Sequence, residues 1–241
     1  MRAEARRQLK QDRFSRTTFQ VAEQTVHWTV EHQGKLIAGA VVLVIAVVAA
    51  LGSWYYLEKQ YEKASVDFGK AVQVLDTPVR PAGMPAQPDA PSFASSAERA
   101  TEARKEFQAV IDKYPHTRAS DFSHYFIGTT ATSVGDNATA ERELKTVAAY
   151  HNEDLSSLAK MALASVYRDS SRTQDAVNLY KQLIDKPTRT VSKPSSEMAL
   201  AETYQASGKT ADAKKQYEQI QKESPTSPAA QLAAQKLQEL K

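Results

Sequence analysis

A pattern of three apolar positions that recurs every 36 or 37 residues limits the possible folds of this 241-residue chain more than any other feature. Each copy has an alanine, a large side chain four residues later, and an aliphatic side chain three residues after that. The copies are Ala103, Phe107 and Val110; Ala140, Leu144 and Val147; Ala176, Tyr180 and Leu183; and Ala213, Tyr217 and Ile220. This spacing places the three residues on one face of a helix. A helical unit repeated at such a period predicts a solenoid.

A second helical pattern precedes three of these copies. Its residues are Ile127, Gly128 and Ala131; Leu163, Ala164 and Tyr167; and Leu200, Ala201 and Tyr204. Short polar breakers, "VGDNA", "DSSRTQ" and "SGKTA", separate the two patterns within each unit. The order of helix, tight turn, helix and proline-containing connection resembles the tetratricopeptide repeat, an αα-hairpin with conserved aromatic, Leu, Gly or Ala, Tyr and Pro positions.

The resemblance is best in the third and fourth units, and the sequence also departs from the repeat. The matching residues of the fourth unit are Leu200, Ala201, Tyr204, Gly208, Ala213, Tyr217 and Pro225. Lys160 and Glu197 replace the usual first aromatic of the third and fourth units, and the second unit lacks the tyrosine and the proline. The period exceeds the usual length of about 34 residues. The extra residues fit the connections between units, such as "KPTRTVSKP".

The repeat region is expected to occupy residues 58–241. Residues 60–75 are expected to supply the first helix of the first unit, with an apolar stripe of Tyr61, Ala64, Phe68, Ala71 and Leu75. Residues 77–97 contain five prolines and predict a mobile loop inserted into that unit. Residues 228–240 predict a helix that caps the last exposed repeat face.

Residues 36–57 contain no charged side chain over 22 positions and predict a transmembrane helix. At about 1.5 Å per residue, such a helix crosses a hydrocarbon core of about 30 Å. Residues 1–35 carry seven Lys and Arg against four Asp and Glu, so the net charge of +3 lies entirely before the span. This bias predicts a basic cytoplasmic N-terminal segment and a repeat domain on the opposite side. A cleaved signal peptide stays open as an alternative, because "AVVAALGS" offers small residues for cleavage.

The predicted fold class is therefore all-α. A single N-terminal transmembrane helix is followed by an αα-hairpin solenoid of about four tetratricopeptide-like repeats, which ends in a C-terminal capping helix. Four helix pairs satisfy the minimum of about three repeats that such an array needs to bury a continuous core.

No set of side chains in the sequence indicates catalysis, and the chain is expected not to be an enzyme. It contains no cysteine, no glycine-rich phosphate loop and no Gly-x-Ser-x-Gly elbow. Its five histidines are scattered without a recognised ligand spacing, so no metal and no cofactor are expected. The basic residues before the span form no identifiable nucleic-acid-binding module, so no nucleic-acid partner is expected.

The first helices of the stacked units are expected to line a concave face that binds protein segments. In the tetratricopeptide register this face consists of Phe122, Tyr125, Thr129, Leu158, Met161, Ser165, Arg168, Met198, Glu202 and Gln205. Aromatic and methionine side chains suit apolar or helical partner segments of varied sequence. The alternative, that residues such as Tyr125 and Met161 belong to the core, stays open at this point.

The chain combines a basic N-terminal tail, one membrane span and a repeat domain on the opposite side of the membrane. This arrangement resembles the ancillary SecYEG translocon subunit family (YfgM-like) of bacterial inner membranes. The stretches that carry this resemblance are "VHWTVEHQGKLIAGAVVLVIAVVAALGSWYY", "FQAVIDKYPHTRAS" and the repeats that follow. It implies a periplasmic domain that sits beside the Sec translocon, contacts emerging polypeptides and cooperates with a membrane-anchored periplasmic chaperone. Two alternatives stay open, a general scaffold for envelope assembly or cell division and a ligand-binding protein or enzyme with an unrecognised pocket in the repeat concavity.

Overall fold

The computed structural model describes residues 33–85, 89 and 91–240, except for the side chain of Leu36. The predicted basic segment of residues 1–35 therefore lies almost entirely outside the described residues. Within the described residues the regular structure is helical, and the only extended contact is an isolated parallel bridge between Val79 and Phe93. The prediction of an all-α fold is confirmed. The chain forms two compact units, Met1–Lys59 and Gln60–Lys241.

Nine helices follow one another through the described residues. They are α1 (Gln33–Asp76), α2 (Ser96–Lys113), α3 (Arg118–Ser133), α4 (Asn137–Ala148), α5 (Glu153–Asp169), α6 (Thr173–Asp185), α7 (Lys193–Ala206), α8 (Thr210–Glu223) and α9 (Pro228–Glu239). From α2 onward each helix packs against the next one in sequence. That order of contacts is the one expected of a repeat array.

Helix α1 contains an apolar window that is long enough to cross a membrane. The 18-residue window has a mean hydropathy of 2.7, and none of it is buried. By length and composition, a membrane span and a signal sequence near the N-terminus share these properties. The structure therefore identifies one candidate span among the described residues.

The helices begin where polar side chains cap their free N–H groups. The hydroxyls of Ser95, Thr117, Ser192 and Ser227, the carboxylate of Asp136 and the amide oxygen of Asn152 each accept a hydrogen bond from the backbone N–H three residues later. Such caps contribute about 0.5–2 kcal/mol each to stability. Helices α7 and α9 also have a proline in their first turn, where its missing N–H costs little.

The repeated apolar positions form the core of the second unit, as predicted. All four alanines, from Ala103 to Ala213, are fully buried, and so are the large and aliphatic residues that follow them in each copy. A main cluster extends from α3 to the α6–α7 connection and α7, and a smaller cluster joins α7, α8 and α9. Because each copy buries the same face of its second helix, the period read from the sequence is the period of the structure.

The C-terminal part of α1 packs within the second unit. Ala64 and Ala71 are fully buried, and the ring of Phe68 lies 5.7 Å from those of Phe107 and Phe126 between centroids. These contacts agree with the predicted apolar stripe. Tyr61 was expected on the same stripe but is exposed, because the packing begins only with the second turn of this segment.

The ends of the proline-rich insertion are held together by backbone hydrogen bonds. Arg80 N–H donates to the carbonyl oxygen of Phe93 (2.9 Å), and Phe93 N–H donates to that of Pro78 (3.0 Å). No helix occurs among the described residues between Asp76 and Ser96. The described part is therefore a loop whose base is closed.

Gly128 allows an unusually close approach between α3 and α4. A Cβ atom at this position would lie 2.7 Å from Cγ and 2.9 Å from Cδ2 of Leu144. Real Cβ atoms do not approach carbon atoms so closely, because dispersion attraction becomes steric repulsion at these distances. Ala164 and Ala201 occupy the same position in the third and fourth units, which therefore leave room for a methyl group.

Candidate partner-binding face and corner cavity

The ten residues predicted as the concave surface are called the first-helix face below. Nine of them are half-buried, and Met198 is buried. They lie on α3, α5 and α7, the first helices of the second, third and fourth units. Each of these helices turns its Leu/Ile and Ala/Gly positions into the core, so the residues of the face project from a rigid backbone.

The apolar part of the first-helix face lies on α3 and α5. Phe122, Tyr125, Leu158 and Met161 are half-buried and pack against the main core cluster. The Tyr125 ring meets Phe126 edge-on, with 5.7 Å between centroids, and burial raises the pKa of the Tyr125 hydroxyl. Each side chain is thus anchored on one side and accessible on the other.

The polar part of the face connects the third and fourth units through Arg168. Its guanidinium donates to the hydroxyl of Ser165 (3.0 Å) and lies 3.9 Å from a carboxylate oxygen of Glu202 on α7. A further hydrogen bond of 2.9 Å goes to Asp169. The structure therefore brings three of the predicted residues together. A partner group that binds there must compete with these contacts.

Two other polar residues of the face are already engaged by their own unit. The hydroxyl of Thr129 donates to the carbonyl oxygens of Tyr125 and Phe126, both at 3.2 Å. The amide oxygen of Gln205 accepts a hydrogen bond of 2.9 Å from the Tyr217 hydroxyl. These bonds stabilise the helices and leave less hydrogen-bonding capacity for a partner.

Met198 differs from the equivalent Met161 and Tyr125. It is buried in the C-terminal cluster with Ala213, Tyr217 and Ala230. Its side chain serves the packing of α7 against α8 and α9, so the accessible apolar part of the face ends on α5.

A second feature lies at the corner of the third unit and was not predicted as a site. A cavity of about 860 Å³ opens there between the start of α5, the end of α6 and the α6–α7 connection. This feature is called the corner cavity below. Its lining includes Tyr150, Ser157, Lys160, Leu183, Pro187 and Thr188. The long connection "KPTRTVSKP" and the lysine at an aromatic position mark this place in the sequence, but neither feature by itself predicts a cavity.

The clearest titratable pair lies near the face, between α3 and α4. His124 Nδ1 and a carboxylate oxygen of Glu143 are 2.7 Å apart, and this hydrogen bond is the main reason that the pKa of Glu143 lies below its usual value. In the residues that the structure describes, no group of three or more His, Asp or Glu side chains converges in a way that could hold a metal ion. The pair therefore links the two helices through a hydrogen bond between their side chains.

Comparison with known families agrees with this architecture. The model of a family described as a tetratricopeptide repeat-like domain matches residues 26–241, and the chain belongs to this family. No curated protein matches the chain. Domains of this family are in general non-catalytic scaffolds that bind other proteins.

Proposed function

We propose that this member of the tetratricopeptide repeat-like family is a membrane-anchored protein-binding module of a bacterial inner membrane. Residues 36–57 cross the bilayer, the N-terminal segment is cytoplasmic and the repeat domain is periplasmic. In this role the protein is an accessory, chaperone-like subunit of the Sec translocon that contacts emerging polypeptides.

The observation that carries the binding function is the row of half-buried apolar side chains on α3 and α5. Phe122, Tyr125, Leu158 and Met161 keep part of their apolar surface in water. A partner that covers this surface gains about 25 cal/mol per Å² of apolar area removed from water. Methionine and aromatic side chains accept many apolar shapes, which suits a binder of varied emerging chains.

The membrane anchor is supported by the composition of α1. Its window has no buried residue that would suit it to the core of a soluble domain. Trp54, Tyr55 and Tyr56 are exposed at the C-terminal end of the apolar stretch, where amphipathic rings favour the headgroup region. The excess of basic residues before the stretch favours a cytoplasmic N-terminus.

The assignment to the translocon goes beyond the family and is supported by the sequence resemblance described above. It is also consistent with a binding face that selects apolar character rather than one peptide sequence. Transient contact with many secreted or envelope proteins requires such a surface.

The orientation is tested by cysteine labelling, since the chain contains no cysteine of its own. In intact spheroplasts we expect a membrane-impermeant maleimide to label Ser207→Cys, which is exposed in the turn after α7. The matched Ser15→Cys variant should react only after permeabilisation. Labelling of both variants, or the reverse pattern, would reject the proposed topology.

The binding face is tested by a photo-crosslinking amino acid placed at Tyr125 or Met161. We expect crosslinks to translocon subunits and emerging polypeptides, enriched over a control at Lys181, which is exposed on α6. Affinity purification in mild detergent, followed by mass spectrometry, identifies the complex independently. Recovery of division or outer-envelope assembly proteins in place of the translocon would support the general scaffold, and equal crosslinking from all three positions would reject the face.

A further inference from the structure

We propose that the corner cavity binds a carboxylate group of a protein segment, held by Lys160 and Ser157. The proposal rests on the protein-binding function above and adds a second, chemically distinct contact to it. The first-helix face selects apolar side chains, whereas the cavity selects an anion.

The volume of the cavity suits a short piece of polypeptide. At about 860 Å³ it lies within the range of about 300–1,000 Å³ that is typical of ligand sites. A single carboxylate side chain would leave most of this volume empty, so the flanking residues of the bound segment also have room.

The cavity exists because one of the connections between successive units is longer than the other three. The connections α2–α3, α4–α5 and α8–α9 each contain four residues, and the α6–α7 connection, residues 186–192, contains seven. The additional length folds back over the start of α5. There the Arg189 guanidinium lies 2.8 Å from a carboxylate oxygen of Asp154, and the Thr190 hydroxyl donates to the Asp154 carbonyl oxygen at 2.7 Å.

The folded-back connection is also held by a hydrogen bond within itself and by one side chain buried in the core. Thr188 N–H donates to the carbonyl oxygen of Val191 (2.9 Å), and the Val191 side chain is buried in the main core cluster. Pro187 and Thr188 are thereby held as one wall of the cavity. A wall with these anchors retains its shape without a ligand, which reduces the entropy lost on binding.

Lys160 gives the cavity its preference for an anion. It is half-buried and lines the cavity, and in the part of the chain that the structure describes it forms no ion pair. An ammonium group without a counterion attracts an incoming negative group and can donate hydrogen bonds to it. In the fourth unit the equivalent position holds Glu197, which lies 3.6 Å from the ammonium of Lys193, so that corner has its own counterion.

Ser157 adds a neutral donor beside this charge. Its side chain is buried, lines the cavity and forms no hydrogen bond with any described residue. A hydroxyl can donate to a carboxylate oxygen without a charge of its own. The positive end of the α5 dipole also lies here, because the helix begins at Glu153.

The charges at the mouth restrict the kind of anion. Glu153 and Asp185 are exposed lining residues, as are Lys186 and His151. The two acidic side chains repel a segment with many negative charges. The expected ligand is therefore a single carboxylate with neutral or basic neighbours.

The proposal is tested with the full-length protein in lipid nanodiscs and short synthetic peptides, by NMR of backbone amides. The probes are acetyl-Ala-Ala-Glu-Ala-Ala-amide, its Gln counterpart, and acetyl-penta-alanine with a free C-terminal carboxylate. We expect the Glu peptide to shift the amide signals of Ser157, Lys160 and Thr188, and the Gln peptide to leave them in place. The free-acid peptide distinguishes the two sources of a carboxylate, an acidic side chain and a chain terminus; a response to either supports the site.

Substitution of the lysine gives the matched control. Lys160→Met keeps the apolar stem and should weaken binding of the Glu peptide by about tenfold, the scale of one charge-assisted hydrogen bond. Lys181→Met on the exposed side of α6 should leave affinity unchanged. If circular dichroism shows that Lys160→Met perturbs the fold, Lys160→Gln is used in its place, and the same loss of affinity for the Glu peptide is expected.

Two results would overturn the carboxylate site: neither carboxylate peptide shifting these amide signals more than the Gln peptide does, or unchanged affinity in a folded Lys160 variant. Crosslinking from Tyr125 reports on the first-helix face by a separate route. If Tyr125 crosslinks but the peptides do not bind, the cavity alone is rejected. If the peptides bind but Tyr125 does not crosslink, only the face is rejected.

Discussion

The third and fourth units share the same pattern of buried residues, but the charged side chain at one equivalent position lies in a different environment in each. In both, the second helix buries an alanine, a tyrosine and an aliphatic residue. Lys160 of the third unit borders an open cavity, whereas Glu197 of the fourth is fully buried, and neither of its carboxylate oxygens accepts a hydrogen bond. A charged residue thus occupies the position at which the repeat pattern has an aromatic residue, and its environment is open in the third unit and buried in the fourth.

The surroundings of Glu197 explain its environment. Lys193 Nζ lies 3.6 Å from one carboxylate oxygen but only 2.6 Å from Glu223 on α8. Burial is the main reason that the pKa of Glu197 lies above its usual value, and the negative Glu223 adds to this shift. Lys193 therefore compensates the charge only in part.

The turns between the paired helices show a second difference. Gly135, Ser171 and Gly208 occupy the same place in three successive units, and all three have positive φ, at 79°, 60° and 75°. Glycine adopts this backbone conformation at no steric cost, while serine does not. The third unit therefore carries strain that the second and fourth units avoid.

The largest effect is expected when the central tyrosines are truncated. Tyr180→Ala and Tyr217→Ala should each lower the free energy of unfolding by about 3–5 kcal/mol, since both side chains are fully buried. The two variants should destabilise different helices, because Tyr180 belongs to the main cluster and Tyr217 to the C-terminal one. By native-state hydrogen exchange, Tyr217→Ala should expose α7–α9, while Tyr180→Ala should expose α4–α7. Identical exchange patterns would show that the two clusters unfold as one.

The next effect concerns the buried carboxylate. Glu197→Met should raise the free energy of unfolding at pH 7 by about 1–3 kcal/mol, because Lys193 keeps Glu223 as its partner. Lys160→Met should change it by less than about 0.5 kcal/mol, because its charge is next to an open cavity. Urea titrations followed by circular dichroism compare the two variants. A loss of stability in Glu197→Met would mean that the carboxylate is better compensated than its contacts indicate.

The same carboxylate predicts opposite pH behaviour in two regions. The pKa of Glu197 is raised above 4.5, so its contribution to stability is fully present below that pH and is lost as pH rises through the folded value. The pKa of Glu143 is lowered from 4.5, mainly by His124, so its contribution is present above that pH and is lost as pH falls. Hydrogen exchange at pH 4 and pH 6 should therefore show that α3 and α4 lose protection in acid relative to α7 and α8. In Glu197→Met, the pH dependence of protection in α7 should disappear.

The strained turn offers a gain of stability. Ser171→Gly should raise the free energy of unfolding by about 1 kcal/mol, because it removes the cost of a positive φ at a residue with a side chain. The matched change Gly208→Ser should lower it by a similar amount. The urea midpoints of both variants test this. Equal shifts of the same sign would contradict the interpretation of the turns.

The sequence predicted well the parts of the fold that depend on local periodicity. The positions of Ala103, Ala140, Ala176 and Ala213 followed from helical spacing alone, and each helix pair repeats the same burial. The sequence did not predict that Met198 is buried whereas Met161 is only half-buried, since this difference depends on how the last helix pair packs against α9. The ion pair between Arg189 and Asp154 joins residues 35 positions apart, and no local pattern encodes such a contact.

The candidate site was predictable only to the level of helix faces. The register assigned Phe122 and Leu158 to the first-helix face, and the structure leaves both half-buried. That Arg168 would bind Ser165 and approach Glu202 was not predictable, because rotamers of long side chains depend on neighbours in space. The corner cavity was missed for a similar reason: an extra three residues in a connection can extend outward or fold back, and spacing does not distinguish the two.

The smallest expected effect concerns the ion pairs that join neighbouring units. Arg104 lies 2.7 Å from Asp136, and one step later Glu141 lies 2.9 Å from Arg172, so the signs of the charges are reversed at equivalent positions. Arg172 also covers the ring of Tyr167 at 4.0 Å. Since these groups are partly exposed, Arg172→Ala should lower the free energy of unfolding only slightly.

The charge-exchange double variant Glu141→Arg with Arg172→Glu sharpens this comparison of interfaces. It should recover part of the loss seen in the single variants, as a double-mutant cycle measures directly. Because exposed pairs are screened by salt, the coupling between the two residues should shrink as ionic strength rises. A coupling that is zero at low salt would show that the sign reversal between units has no energetic role. A loss of stability in Arg172→Ala that persists at high salt would assign the stabilisation to the packing of Arg172 on Tyr167 instead of its charge.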